Sequence, residues 1–169
     1  MIFTRIYLLL FAPYFLVVFL LYGIKVLSKK RFKELMYFFI PWYKNIDKIV
    51  KKFWSKQIKR VFPYYLNQKR EDDIIISAGL DFIVKEAMDL LGIKNYMATH
   101  FDIKTGKIDG NNCYGEEKVN RFREVYPDVT LEAFYSDSFS DTPMMRVSEK
   151  AFLVTKGDLK DVTSQIKIA

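Results

Sequence analysis

From Asp73 onward the chain alternates short apolar runs with helical stretches, and this alternation restricts the fold more than any other feature of its 169 residues. "DIIIS" (Asp73–Ser77) has the continuous apolar character of a strand covered on both faces, as in a parallel sheet. "GLDFIVKEAMDLLGI" (Gly79–Ile93) is spaced as a helix, with Gly92 suited to its C-terminal cap. "NYMATHF" reads as a second strand, "DIKTGKIDG" (Asp102–Gly110) as a surface hairpin, and "GEEKVNRFREVY" (Gly115–Tyr126) as a helix with acids in its first turn. The strand "TLEAFY", a polar loop, a helix near Pro143–Lys150 and a last strand "AFLVT" (Ala151–Thr155) complete the series. This order predicts an α/β fold with an open, mostly parallel sheet. Ligands of such sheets collect outside the carboxyl ends of the strands. Ser77 and Asp137 both fall at such ends.

The first part of the chain has a different character. Residues 1–70 hold 15 Lys/Arg against two acids, whereas residues 71–169 hold 12 Lys/Arg against 18 acids. The reversal near "NQKREDD" (Asn67–Asp73) divides a basic, aromatic region, 1–66, from an acidic α/β region, 67–169. Ile6–Ile24 carries no charge across 19 residues, about the length of a bilayer span; a membrane anchor and buried helices broken near Pro13 both fit it. From Ile46 to Phe62, apolar residues recur at three-four spacing, with Lys48, Lys51, Lys52, Lys56, Lys59 and Arg60 on the other face. That pattern predicts an amphipathic helix. A lysine face could attract nucleic acid or acidic lipid, but no recognition motif accompanies it, so a solvated face is expected and no nucleic-acid partner.

The residue inventory narrows the chemistry. One cysteine, Cys113, excludes an internal disulfide and fits a reducing, cytoplasmic compartment. One histidine, His100, leaves little material for a zinc site or a His-dependent nucleophile. Carboxylates, hydroxyls and lysines have to carry any reaction. The loop "YSDSFSDTP" (Tyr135–Pro143) offers two aspartates four apart. Asp137 is a hard oxygen ligand of the kind Mg²⁺ prefers. Lys118, at a helix start, can reach a phosphate. Ser77 with Ala78 and Gly79 offers a hydroxyl and backbone amides to an anion. Asp141 can bond Lys118 or a metal-bound water. Each residue also has an ordinary explanation: Ser77 as a helix N-cap, the aspartates as turn and cap residues, Lys118 as a surface ion-pair partner.

Taken in order, "IIISAG", "GEEKVNRFREVYP" and "EAFYSDSFSDTPMM…AFLV" resemble the haloacid dehalogenase (HAD) superfamily in its phosphoserine-phosphatase-like branch, over about residues 70–160. The resemblance implies a Rossmann-like core and makes 1–66 similar to that branch's helical cap. It also lowers the standing of a membrane anchor. Ser77 matches the family's phosphate-binding hydroxyl, Lys118 its third-motif lysine, Asp137 its Mg²⁺ ligand and Asp141 the later acid of the fourth motif. The implied partner is a small phosphorylated metabolite. One departure is large: the family's Asp-x-Asp, which supplies the nucleophile and the general acid/base from the first, central strand, occurs nowhere in residues 1–169. The resemblance therefore implies an N-terminally truncated, inactive chain, with a vacancy in the sheet between the Ser77 and Asp137 strands. A smaller departure is "SAGLDF" where members often have "SASPEF".

Overall fold

A computed structural model describes residues 11–168. Four helices come first: α1 (Ala12–Gly23), α2 (Lys29–Met36), α3 (Ile46–Gln57) and α4 (Pro63–Gln68). Residues 6–10 of the uncharged run lie outside the described residues, and most of its described part is α1. No described helix is long and apolar enough to cross a membrane. The amphipathic segment foreseen over 46–62 is continuous only to Gln57. A 3-10 turn, Ile58–Arg60, follows, and Pro63 then opens α4. The cause is local: Phe62 precedes a proline and is extended at ψ 135, and Pro63 occupies the first helical turn, where no N–H is required.

The second region alternates as expected: β1 (Ile74–Leu80), α5 (Asp81–Leu91), β2 (Asn95–Thr99), the hairpin β3 (Phe101–Asp102) and β4 (Lys107–Ile108), α6 (Glu116–Val125), β5 (Leu131–Ser136), α7 (Thr142–Arg146), β6 (Ser148–Thr155), β7 (Asp158–Asp161) and α8 (Thr163–Ile168). β1 pairs β2 in parallel and β5 pairs β6 in parallel, while β7 adds an antiparallel edge to β6. β7 and α8 had no clear signal in the sequence. The turn between β6 and β7 places Lys156 and Gly157 at positive φ, and Asp161 caps α8 by accepting the Thr163 N–H at 2.9 Å. Gly92 ends α5 in the left-handed conformation, and the Ile93 N–H returns to the Met88 carbonyl.

Besides the β3–β4 hairpin, the described strands form a parallel pair, β1–β2, and a three-stranded sheet, β5–β6–β7, with no ladder between β1 and β5. Both run the same way. Arg70, just before β1, pairs with Glu132 near the start of β5 at 2.9 Å, and the two carboxyl ends line one cleft. Among residues 11–168, the Ser77 and Asp137 strands belong to separate sheets.

Three apolar clusters hold these pieces. Val84, Ala87 and Met88, one stripe of α5, bury themselves with Ile93 and Ala98 against Trp54 of α3, whose indole N–H donates to the Ile83 carbonyl at 2.8 Å. Ile40, Leu80, Phe101 and Ile108 join the N-terminal helices to β1 and the hairpin. Met145, Ala151, Val162 and Ile166 fasten α7 and α8 to the β5–β6 pair. At about 25 cal/mol per Å² of apolar area, each fully buried side chain of this size stabilises the fold by roughly 1.5–3 kcal/mol.

Candidate functional site

The carboxyl ends of β1 and β5 open onto a cleft of about 490 Å³. Its walls contain Ser77, Ala78 and Gly79 on one side, and Lys118, Asp137 and Asp141 on the other. All six residues singled out in the sequence meet there, although they come from 77 to 141 in the chain. Phe62 and Tyr64 form an aromatic rim. A larger hollow of about 910 Å³, beside β2 and α6, contains none of the six.

Lys118 and Asp141 make the strongest contact in the cleft. The Lys118 Nζ lies 2.7 Å from both carboxylate oxygens of Asp141, and both residues are buried. The Ser136 hydroxyl donates to the same carboxylate at 2.8 Å. Lys118 is therefore not a surface ion-pair partner. The sequence had offered Asp141 either Lys118 or a metal-bound water, and the structure gives it Lys118. α6 can deliver Lys118 because Gly115 precedes it at φ 59, ψ −128, backbone that a residue with a Cβ rarely adopts. Asp137, one residue past β5, is exposed, and among the described residues no hydrogen bond or ion pair engages its carboxylate.

Ser77 differs from the helix cap that its sequence context suggested. α5 begins only at Asp81, whose own carboxylate accepts the Phe82 N–H at 2.8 Å and the Phe101 N–H at 3.2 Å. Ser77 lies instead where the β1–β2 register breaks, between Ile76 and Leu80, and its hydroxyl oxygen accepts the Gly79 N–H at 3.0 Å. Ala78 and Gly79 thus continue the strand, and the amides come from a bulged strand end instead of a helix N-terminus. Gly79 is required there: a Cβ would stand 2.8 Å from Val84 Cγ2 and 3.1 Å from Ser77 Oγ.

Further residues near the cleft were not visible in the sequence. Lys33 of α2 donates to the Ala78 carbonyl and to Asn112 Oδ1, the latter at 2.6 Å. Burial lowers its ammonium pKa to about 8. Thr99, fully buried at the end of β2, lies 3.1 Å from the same Ala78 carbonyl. Tyr114 lines the cleft with the Lys29 Nζ over its ring, and hydrogen bonds from Lys29 and then Ser140 hold its phenol below the usual tyrosine range. Burial, then Tyr135 and Asp137, raise the Tyr64 phenol. In sequence Lys33 was one more lysine in a basic run, and Thr99 one residue of an ordinary strand. Only the tertiary fold gives them neighbours.

As for metal, the described residues contain no group of three or more His, Cys, Asp or Glu side chains close enough to share an ion. With Asp141 committed to Lys118, Asp137 is the one carboxylate lining the cleft that, among the described residues, no hydrogen bond or ion pair engages. Mg²⁺ commonly takes one or two protein carboxylates and completes its shell with water and substrate phosphate, so Asp137 fits as one ligand of a shared shell and not as a site by itself.

An α/β fold that gathers a lysine–aspartate pair, a strand hydroxyl and an exposed aspartate at one cleft supplies groups that can hold an anion. The chain belongs to the haloacid dehalogenase-like hydrolases, whose family model matches residues 4–146. It is 37% identical over 91 residues to Protein CicA of Caulobacter vibrioides, a match covering 50% of this chain and 41% of CicA. It is 31% identical over 91 residues to the NADH-ubiquinone oxidoreductase 75 kDa subunit of Dictyostelium discoideum, covering 46% of this chain and 13% of that one. The matches thus span less than half of either relative. A crystal structure of a protein of unknown function from Bordetella pertussis Tohama I superposes with a TM-score of 0.65 at 18% identity, over 81% of this chain and 70% of that one, and shows the shared fold.

Proposed function

We propose that the cleft binds the phosphate of a small phosphorylated metabolite and that the chain is the scaffold of a Mg²⁺-dependent phosphomonoester hydrolase of the phosphoserine-phosphatase-like branch. The observation that carries this reading is the meeting of Ser77, Gly79, Lys118 and Asp137 at one strand-end cleft. The Ser77 hydroxyl, whose oxygen accepts the Gly79 N–H, has its own proton to donate to a phosphoryl oxygen. Lys118 supplies a fixed positive charge, oriented by Asp141, and Asp137 supplies a metal ligand.

Charge requires a cation. A phosphate dianion beside Asp137 and Asp141 sums to about four negative charges, and Lys118 returns one. Mg²⁺ would supply the missing positive charge and polarise the phosphoryl group as a Lewis acid. The rest is done by this chain's own residues, which bind, orient and balance the oxygens. Transfer of the phosphoryl group needs a nucleophile, and residues 1–169 contain no Asp-x-Asp. The chain as it stands is therefore proposed to bind phosphate without hydrolysing its esters.

The test is calorimetric titration with inorganic phosphate, with and without Mg²⁺, alongside hydrolysis of p-nitrophenyl phosphate. Magnesium-dependent binding lost in both Asp137→Ala and Lys118→Met, with no turnover, is the expected result. Absence of phosphate binding would remove the site. Turnover abolished by Asp137→Ala would remove the claim of inactivity.

A second reading rests on α1. Leu16, Val17, Leu20 and Ile24 are 53–68% exposed on an uncharged helix that borders a strongly basic region. An anionic bilayer surface matches both the apolar face and the charge. Failure to co-sediment with vesicles of phosphatidylglycerol would eliminate this association.

A further inference from the structure

We infer that Lys33 is a positioning residue for the anion-binding end of β1: by holding the Ala78 carbonyl from α2, it fixes the Gly79 N–H on Ser77 Oγ at the cleft wall, which leaves the Ser77 hydroxyl proton for an anion. The identity of the anion rests on the phosphate reading above; the contact itself does not.

The first argument counts hydrogen-bond donors. The Ala78 carbonyl and Asn112 Oδ1 both lie within bonding distance of the Thr99 hydroxyl, at 3.1 and 3.0 Å. That hydroxyl has one proton to give, and its oxygen already accepts the Cys113 N–H at 3.1 Å. Thr99 alone cannot serve both acceptors. The Lys33 ammonium has three protons and reaches both. Thr99 and Cys113 are fully buried, and without Lys33 one of the two acceptors loses its protein donor.

The second argument is covalent. The carbonyl of Ala78 and the N–H of Gly79 belong to one planar trans peptide, so they point in opposite directions. Fixing the carbonyl toward Lys33 and Thr99 fixes the N–H on the other side, where Ser77 Oγ accepts it on the cleft wall. Elsewhere in a strand the ladder would hold this peptide. Here the β1–β2 register is broken between Ile76 and Leu80, so side chains have to do it. The lack of a Cβ at Gly79 leaves the peptide free to turn, which makes the clamp consequential.

The grip depends on the charge of Lys33. Around it stand Lys29 on its own helix, Lys118 from α6 and Cys113 from the loop before α6. Glu34 is occupied elsewhere, with one oxygen on the Ile108 N–H at 3.1 Å and the other 3.2 Å from Arg31. Burial, with smaller contributions from Lys29 and Lys118, lowers the pKa to about 8, against an opposing effect of Cys113. The charge-assisted hydrogen bonds are therefore present below that pH and weaken as pH rises through it.

The experiment is ¹⁵N NMR of the whole chain without phosphate, following the Gly79 amide from about pH 7 to about pH 10, across the Lys33 midpoint. Wild type should show a Gly79 shift with a midpoint near 8, and Lys33→Arg, which stays charged, should not. In Lys33→Met, Gly79 hydrogen exchange should quicken about tenfold, the equivalent of one lost hydrogen bond, while the amides of β6 are unchanged. Inorganic phosphate affinity should fall in Lys33→Met and recover in Lys33→Arg. A Gly79 shift that titrates identically in Lys33→Arg, or exchange unchanged in Lys33→Met, overturns the assignment. If Lys33→Met does not fold, the arginine titration decides alone. Phosphate failing to bind wild type overturns the phosphate reading, which the Gly79 measurements, taken without phosphate, do not share.

Discussion

The pair Lys118–Asp141 offers the sharpest energetic prediction. Asp141 is buried against the Lys118 ammonium at 2.7 Å and the Ser136 hydroxyl at 2.8 Å. Lys118→Met removes the counter-charge and leaves a buried carboxylate with one neutral donor. Asp141→Leu leaves the converse, a buried ammonium whose acceptor is gone. Breaking such a pair from one side costs about 3–5 kcal/mol, a large part of the 5–15 kcal/mol that stabilises an ordinary domain. The double variant Lys118→Met/Asp141→Leu removes both charges and fills the space with apolar atoms. It should therefore be no less stable than either single variant, whereas independent losses would sum to about 6–10 kcal/mol. Urea unfolding of the four proteins, followed by far-ultraviolet circular dichroism, measures all of these from midpoints and slopes. Additivity within about 0.5 kcal/mol would refute the reasoning, because it would mean that each group is solvated on its own.

Other expectations follow from single contacts. Gly79→Ala puts a Cβ 2.8 Å from Val84 Cγ2, so it should cost about 1–3 kcal/mol and be partly relieved by Val84→Ala in a thermal melt. Arg121 holds the Glu117 carboxyl below the usual range; its stabilising effect is complete above the unfolded pKa and fades as pH falls through the lower folded value. The stability deficit of Glu117→Gln, measured by urea midpoints, should accordingly shrink in acid. Glu132→Gln, which breaks the exposed pair with Arg70, should change stability by less than about 1 kcal/mol in the same measurement.

Much of the architecture could be read from local pattern. The apolar run at Ile74–Ile76, the three-four stripe of Val84, Ala87 and Met88, and the left-handed Gly92 each declare their element from neighbours in sequence. So does the loop that carries Asp137 and Asp141. Ser77 was read as the last residue of its strand and as a possible helix cap, whereas β1 runs on past it to Leu80, because a register break between strands leaves no mark in one strand's sequence. Lys33, Thr99 and Asn112 were illegible for a related reason. Their roles depend on contacts 13 to 79 residues apart, and a lysine in a basic helix looks the same whether it faces water or a carbonyl. The strand β7 was missed because its four residues are all exposed, which leaves no apolar alternation to find.

The two tryptophans give the molecule an optical signal of its own. Trp42 is 66% exposed, so its emission already lies toward the red and should scarcely change with structure. Trp54 is half-buried and bonded through its indole to Ile83 on α5. Any loosening of α3 from α5 breaks that bond and wets the ring, shifting only the bluer half of the fluorescence. An engineer could therefore follow the separation of these two helices by eye of a fluorimeter, in the unlabelled protein, with Trp42→Phe as the change that clears the background.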